Sequence, residues 1–113
     1  MPHFAVMAFD KPDSGALREE LRSVHRAYGF ANKSSTRFAG ALYAPDGSQC
    51  GTLKIFEAEN AEEVHRWYAD EPYFQAGLYA ELRVVEWRLA FNQFEKRDYD
   101  LSAPGRIERA PSP

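Results

Sequence analysis

Apolar positions along this chain switch repeatedly between a period of two and a period near 3.6 residues, and the switches mark out six elements. His3 to Phe9 reads as a strand that is apolar on both faces, with Phe4, Val6 and Ala8 on one side and Ala5, Met7 and Phe9 on the other. Lys11-Pro12-Asp13-Ser14-Gly15 breaks that pattern and offers Asp13 or Ser14 as a helix N-cap. Leu17, Leu21, Val24 and Tyr28 follow at spacings of four, three and four, which predicts one buried stripe on a helix that stops at Gly29. Arg37–Tyr43 and Gly51–Glu57 read as strands. The turn sequence Ala44-Pro45-Asp46-Gly47 between them predicts an antiparallel hairpin.

Asn60-Ala61-Glu62-Glu63 has the form of a capping box. The helix it opens buries Ala61, Val64, Trp67 and Tyr68 and must end before Pro72. Tyr79 to Phe91 reads as the last strand, apolar first at Ala80, Leu82 and Val84 and then at Val85, Trp87, Leu89 and Phe91. Either a bulge or burial of different faces would produce that change of parity.

The order strand, helix, strand, strand, helix, strand predicts an α+β fold of the ferredoxin-like split βαβ type, βαββαβ. Both helices then cover one sheet face. The first and last strands carry large apolar residues on the other face too, which predicts a homodimer packed sheet to sheet. Residues 1–91 form the domain. Residues 92–113, with Phe94, Tyr99 and Leu101, form an extension that is either a tail or an arm on the partner subunit.

Composition narrows the function. At 113 residues and 44% apolar content, one core suffices without a metal or disulfide staple. A net charge of −3 gives no electrostatic reason to expect nucleic acid or a membrane surface. The strand Cys50–Phe56 lacks the closely spaced aromatics of RNA-recognition modules. No segment reads as a signal or membrane span, and the single Cys50 fits a reducing cytoplasm. His3, His25, His65 and Cys50 show no paired ligand spacing, so no metal site is expected. His3 and His65 read as surface residues.

Arg18, Arg22 and His25, spaced four and three, form a second stripe about 100° around the first helix from the Leu17 stripe. They flank the buried face and can line a cleft. Guanidinium groups hold negative charge and an imidazole moves a proton, a combination suited to an anionic or enolisable substrate. Charged helix flanks are also commonly no more than solvated, here with Glu19 and Glu20 as partners. Glu71, just before Pro72, is placed to orient His25 and favour its protonated form, although Asp70 is equally available.

The segments Phe9-Asp10, Arg18, Arg22-Ser23-Val24-His25, Phe38-Ala39-Gly40, Glu71-Pro72-Tyr73 and Ala76-Gly77-Leu78-Tyr79 resemble the YciI-like (YCII-related) family of dimeric α/β barrel proteins. That family is similar in fold to muconolactone isomerases, and the resemblance spans residues 3 to 91. It implies a histidine–carboxylate dyad in which His25 takes the histidine's place. Glu71 stands where the family has aspartate, one methylene shorter. The resemblance further implies cofactor-independent lyase or isomerase chemistry on small, often aromatic-derived compounds, including dehydrochlorination of a ring. On this reading His25 and Glu71 are catalytic, and Arg18, Arg22 and Tyr73 bind substrate, with Phe74 and Trp67 as further pocket walls. The alternative is a non-catalytic dimeric module that binds a small molecule or a protein.

Overall fold

Four strands form one antiparallel sheet in the order second, third, first, fourth, so the first and last strands of the chain are neighbours and the last lies at an edge. The computed structural model describes residues 1–95. Its elements are β1 (His3–Asp10), α1 (Gly15–Ala31), β2 (Thr36–Tyr43), β3 (Gln49–Glu57), α2 (Ala61–Ala69), α3 (Pro72–Gln75) and β4 (Tyr79–Trp87). A single 3₁₀ turn, Lys33–Ser35, joins α1 to β2. This is the ferredoxin-like α+β fold expected from the element order, with the one-turn α3 as an addition.

The ladder partners define the two faces. Phe4, Val6 and Ala8 pair with Phe56, Lys54 and Thr52 on one side and with Glu86, Val84 and Leu82 on the other. This face carries the helices. Its core joins Phe4, Val6, Phe56, Ala58, Val64 and Tyr68, with Trp67, Tyr79, Leu82 and Val84 packed against it. All but Ala58, which directly follows β3, come from β1, β3, α2 and β4; none is from α1. On the opposite face the rings of Phe38 and Trp87 meet edge to face, and Phe94 tilts over Phe38. There Leu53 and Val85 are left 38% and 41% exposed.

Local rules hold at the predicted turns. Gly47, at φ +88°, donates to Ala44 O while Asp46 accepts from the backbone and hydroxyl of Ser48, which closes the β2–β3 hairpin. Asn60 caps α2 through Glu63 N–H, and Glu63 reaches back to Glu59 N–H. Gly51 lets β3 lie against β1, because a Cβ there would sit 2.1 Å from Ala8 O.

Several expectations need correction. Helix α1 runs through Gly29 to Ala31, and Asn32 caps it through Tyr28 O. Gly29 lies within the helix facing Lys54, where a Cβ would make only ordinary contact with Nζ at 3.7 Å. Strand β4 ends at Trp87, where its partner β1 runs out at His3, so Leu89 and Phe91 lie beyond the ladder. The bulge falls at the start of β4, between the pairs Phe9–Glu81 and Asp10–Tyr79, not at the parity switch. Val84 and Val85 therefore occupy opposite faces of a regular strand. The stripe Leu17–Tyr28 is not the buried face of α1 either: Arg18 and His25 are the buried residues, and Val24 is 49% exposed.

Residues 88–95 follow β4 without regular structure. Most of the extension assigned to 92–113, including Tyr99 and Leu101, lies outside the described residues. No helix among the described residues is long and apolar enough to cross a membrane.

Candidate active site

Pro72 starts α3, and the residue before a proline is held extended. Glu71 is that residue, with φ −74° and ψ 129°, and its side chain turns back to cap the helix by accepting from Phe74 N–H at 2.6 Å. The cap uses Oε2. Oε1 pairs with His25 Nδ1 and accepts from the Tyr79 hydroxyl at 3.3 Å. Glu71 is 0% exposed, and each of its oxygens has a donor. Asp70, one residue earlier, is exposed at the C-cap of α2. The glutamate, not the aspartate, therefore meets the imidazole, and its extra methylene is accommodated by the capping geometry.

Tyr73, two residues on, stacks on the His25 ring with centroids 3.9 Å apart and planes 14° from parallel. Its hydroxyl donates to Arg18 O at 3.0 Å, which ties α3 to α1. Tyr73 thus backs the imidazole and is not a wall of the open cleft. The His25 ring is held on one flat side by Tyr73 and at Nδ1 by Glu71, so Nε2 is left as its functional nitrogen.

Arg18 is fixed by Asp10 at the end of β1, with Nε–Oδ2 at 2.6 Å and the second nitrogen to Oδ1 at 2.8 Å. Both side chains are buried, and the guanidinium lies 4.7 Å above the Tyr73 ring. Burial disfavours the Arg18 cation, but the hydrogen bonds and charge of Asp10 outweigh it and raise its pKa. Arg22 pairs with the exposed Glu19 at 2.8 Å.

Arg18, Arg22 and His25 line a shallow, solvent-open cleft between α1 and the β2–β3 end of the sheet. Arg18, Arg22, His25 and Arg26 come from α1; Ala39, Gly40 and Ala41 from β2; Gln49, Thr52 and Lys54 from the strand beside it. Among the described residues the lining holds four cationic side chains and an imidazole, and no carboxylate. Asp10 and Glu71 stand behind it.

Burial dominates the charge state of His25. It lowers the pKa below the ordinary 6.5; the hydrogen bond and charge of Glu71 raise it part of the way, and Lys54 and Arg18 lower it again. Glu71 does favour imidazolium, but burial outweighs it, and the resting ring is neutral. With Nδ1–H donated to Glu71, Nε2 carries the lone pair of a base.

The site thus unites His25 with Glu71 and brings Arg18 and Arg22 to the rim of one cleft. Phe74 is exposed and lies away from it, while Trp67 packs on Phe56, Tyr68 and Tyr28. Three residues escaped the sequence reading: Asp10, Thr52 and Lys54. The last two share the parity of buried Phe56 on β3, and that period-two signal was available. Among the described residues no group of three or more His, Cys, Asp or Glu side chains is arranged to hold a metal.

The YCII-related domain family matches residues 3–88. The chain belongs to that family. It is 30% identical to 5-chloro-2-hydroxyhydroquinone dehydrochlorinase from Burkholderia phenoliruptrix, solved with 2,5-dihydroxybenzoquinone, with a TM-score of 0.70 over 76% of this chain and 93% of that one. An antibiotic biosynthesis monooxygenase-like protein from Nitrosomonas europaea, 13% identical, aligns over 79% of this chain and 89% of its own with a TM-score of 0.52. One from Bacteroides thetaiotaomicron, 9% identical, reaches 0.55 over 85% and 95%. These last two likenesses concern the fold alone. No protein with a curated description matches the chain.

Proposed function

We propose that this YCII-related protein is a cofactor-independent small-molecule enzyme of the lyase or isomerase type, acting on a ring-derived substrate. His25 is the general base and Glu71 its orienting carboxylate. The observation that carries the reading is the buried His25–Glu71 pair, with a neutral, aromatic-backed imidazole beside a cleft free of carboxylates. Glu71 holds Nδ1–H, Tyr73 fixes the ring plane, and Nε2 takes a proton from substrate bound against α1. Arg22 supplies positive charge at the rim. Arg18, already satisfied by Asp10, acts chiefly by anchoring Tyr73 and the start of α1.

The dehydrochlorinase likeness supports elimination of a ring halide as the first reaction to try. Protein supplied with 5-chloro-2-hydroxyhydroquinone should release chloride, and His25→Asn should lower the rate about 100-fold or more while the fold persists. Full chloride release by that variant would end the role given to His25. Binding of the compound with no product from the wild type would favour the non-catalytic module.

The working form in this reading is a cytoplasmic homodimer joined sheet to sheet. Met7, Phe9, Leu53 and Val85 on the helix-free face are the surface for a second copy. Sedimentation should give a dimer for the wild type and a monomer for Val85→Glu.

A further inference from the structure

We propose that Lys54 and Thr52 on β3 form an oxyanion subsite on the floor of the cleft, which takes the ionised oxygen of a small planar enol or phenol. Lys54 is only 6% exposed, yet no carboxylate among the described residues lies within ion-pair distance of its ammonium. Its Nζ sits 4.0 Å from the centroid of the Trp67 ring and 6.0 Å from that of Tyr68. Gly29 of α1 faces it, and a Cβ there would make only ordinary contact with Nζ at 3.7 Å. This buried cation lies against two ring faces with no ion-pair partner among the described residues, and an entering anion would supply one.

Thr52, two residues along the same face, adds a second donor. Its Oγ1 is buried and has no hydrogen-bond partner of good geometry, although the Tyr79 hydroxyl is close enough to influence it. Beside this pair, in register on β2, lie Ala39 opposite Lys54 and Ala41 opposite Thr52. Their methyl groups leave a shallow, flat floor that a ring can cover. All four residues line the cleft that His25 also lines.

The subsite deepens the proton-transfer reading and rests on it for the origin of the anion. When Nε2 of His25 accepts the proton of a substrate O–H or C–H bond, the electron pair of that bond is left to settle on oxygen. The Lys54 ammonium and Thr52 hydroxyl meet it there. No oxidant or second reactant is needed.

The charge of Lys54 is conditional. Burial lowers its pKa to about 8, with Glu71 opposing weakly. The other groups facing it are Arg18, Arg22, His25 and Arg26 from α1 and Tyr68 from α2. The Arg18 pKa is raised, His25 is already neutral, and burial pushes the Tyr68 hydroxyl far up, so Lys54 is the group that changes near pH 8. Anion affinity should fall as pH rises through that value.

The probe is 2,4-dinitrophenolate, ionised throughout this range and followed by its visible absorbance, with 1,3-dinitrobenzene as the uncharged control. The full chain should bind the phenolate and scarcely bind the control. Lys54→Met should weaken the phenolate at least tenfold, and Thr52→Val should weaken it a few-fold. His25→Asn should still bind it while losing turnover, so failure of the base assignment and failure of the subsite read out separately. Should Lys54→Met not fold, the lysine is titrated in the wild type by NMR after ¹³C reductive methylation, and saturating phenolate should raise its pKa. Equal affinity in Lys54→Met, no binding by the wild type, or a Lys54 pKa unmoved by bound probe would each overturn the proposal.

Discussion

The two long helices lie over the same sheet and bury opposite kinds of residue. Helix α2 sets Val64 and Tyr68 on Phe4, Val6 and Phe56, in close apolar contact with the sheet. Helix α1 buries Arg18 and His25 and leaves Val24 largely in water. One end of the helix layer is therefore held by desolvated hydrocarbon, and the other by two polar pairs, Arg18–Asp10 and His25–Glu71. Apolar packing leaves no gap. Polar pairing, with short Ala39 and Ala41 across from it, leaves the cleft. The division places apolar packing under α2 and the candidate site under α1.

Substitutions at the two ends should separate these contributions. Phe56→Ala should cost about 3–5 kcal/mol in urea unfolding through the lost burial and the cavity, while the His25 pKa in the folded fraction stays where it is. Asp10→Ala should cost about 3–5 kcal/mol by leaving the Arg18 guanidinium buried without its carboxylate. The double change Asp10→Leu with Arg18→Leu should recover much of that loss, and a double-mutant cycle checks it. If the single change is harmless, α1 is not held as described here.

Lys54→Met should act in the other direction. Relief of a buried, counter-ion-free ammonium should raise the stability of the unliganded protein at pH 7 by about 1–3 kcal/mol. The sign follows from linkage. Because the folded pKa of Lys54 is lowered from 10.5 to about 8, the unfolded chain binds more protons between those values, so wild-type stability rises with pH there. The advantage of Lys54→Met should shrink over the same window. A destabilised Lys54→Met would mean that the lysine is part of the packing, not a strained functional group.

The same linkage applies to His25. Its lowered pKa means that the neutral ring contributes stability fully above about pH 6.5, and this is lost as pH falls through the folded value. Turnover should share that acid limb, below the ordinary imidazole value, and Glu71→Gln should move the limb to still lower pH. An upward move would contradict the pairing. The smallest effect belongs to Val24→Ser, within about 0.5 kcal/mol by thermal unfolding, because this apolar position faces water.

The element order, the β2–β3 hairpin, the capping box at Asn60 and the stop before Pro72 were all legible along the chain. Each depends on neighbours within a few residues, or on a period that backbone geometry imposes on any sequence. The pairing of a histidine with a carboxylate was readable as a possibility from residue types. Residue types left Asp70 and Glu71 both open and the family resemblance pointed to Glu71; which face of α1 turns inward and which ring nitrogen stays free were not readable. Those choices depend on Asp10, Glu71 and Tyr73, which lie 8 to 55 positions from the α1 residues they meet. Periodicity ranks faces by hydrophobicity alone, so it assigned the Leu17 stripe to the interior. Tertiary structure overruled it because a buried charge is tolerated wherever a partner is brought to it, and only the folded sheet brings Asp10 to Arg18 and Glu71 to His25.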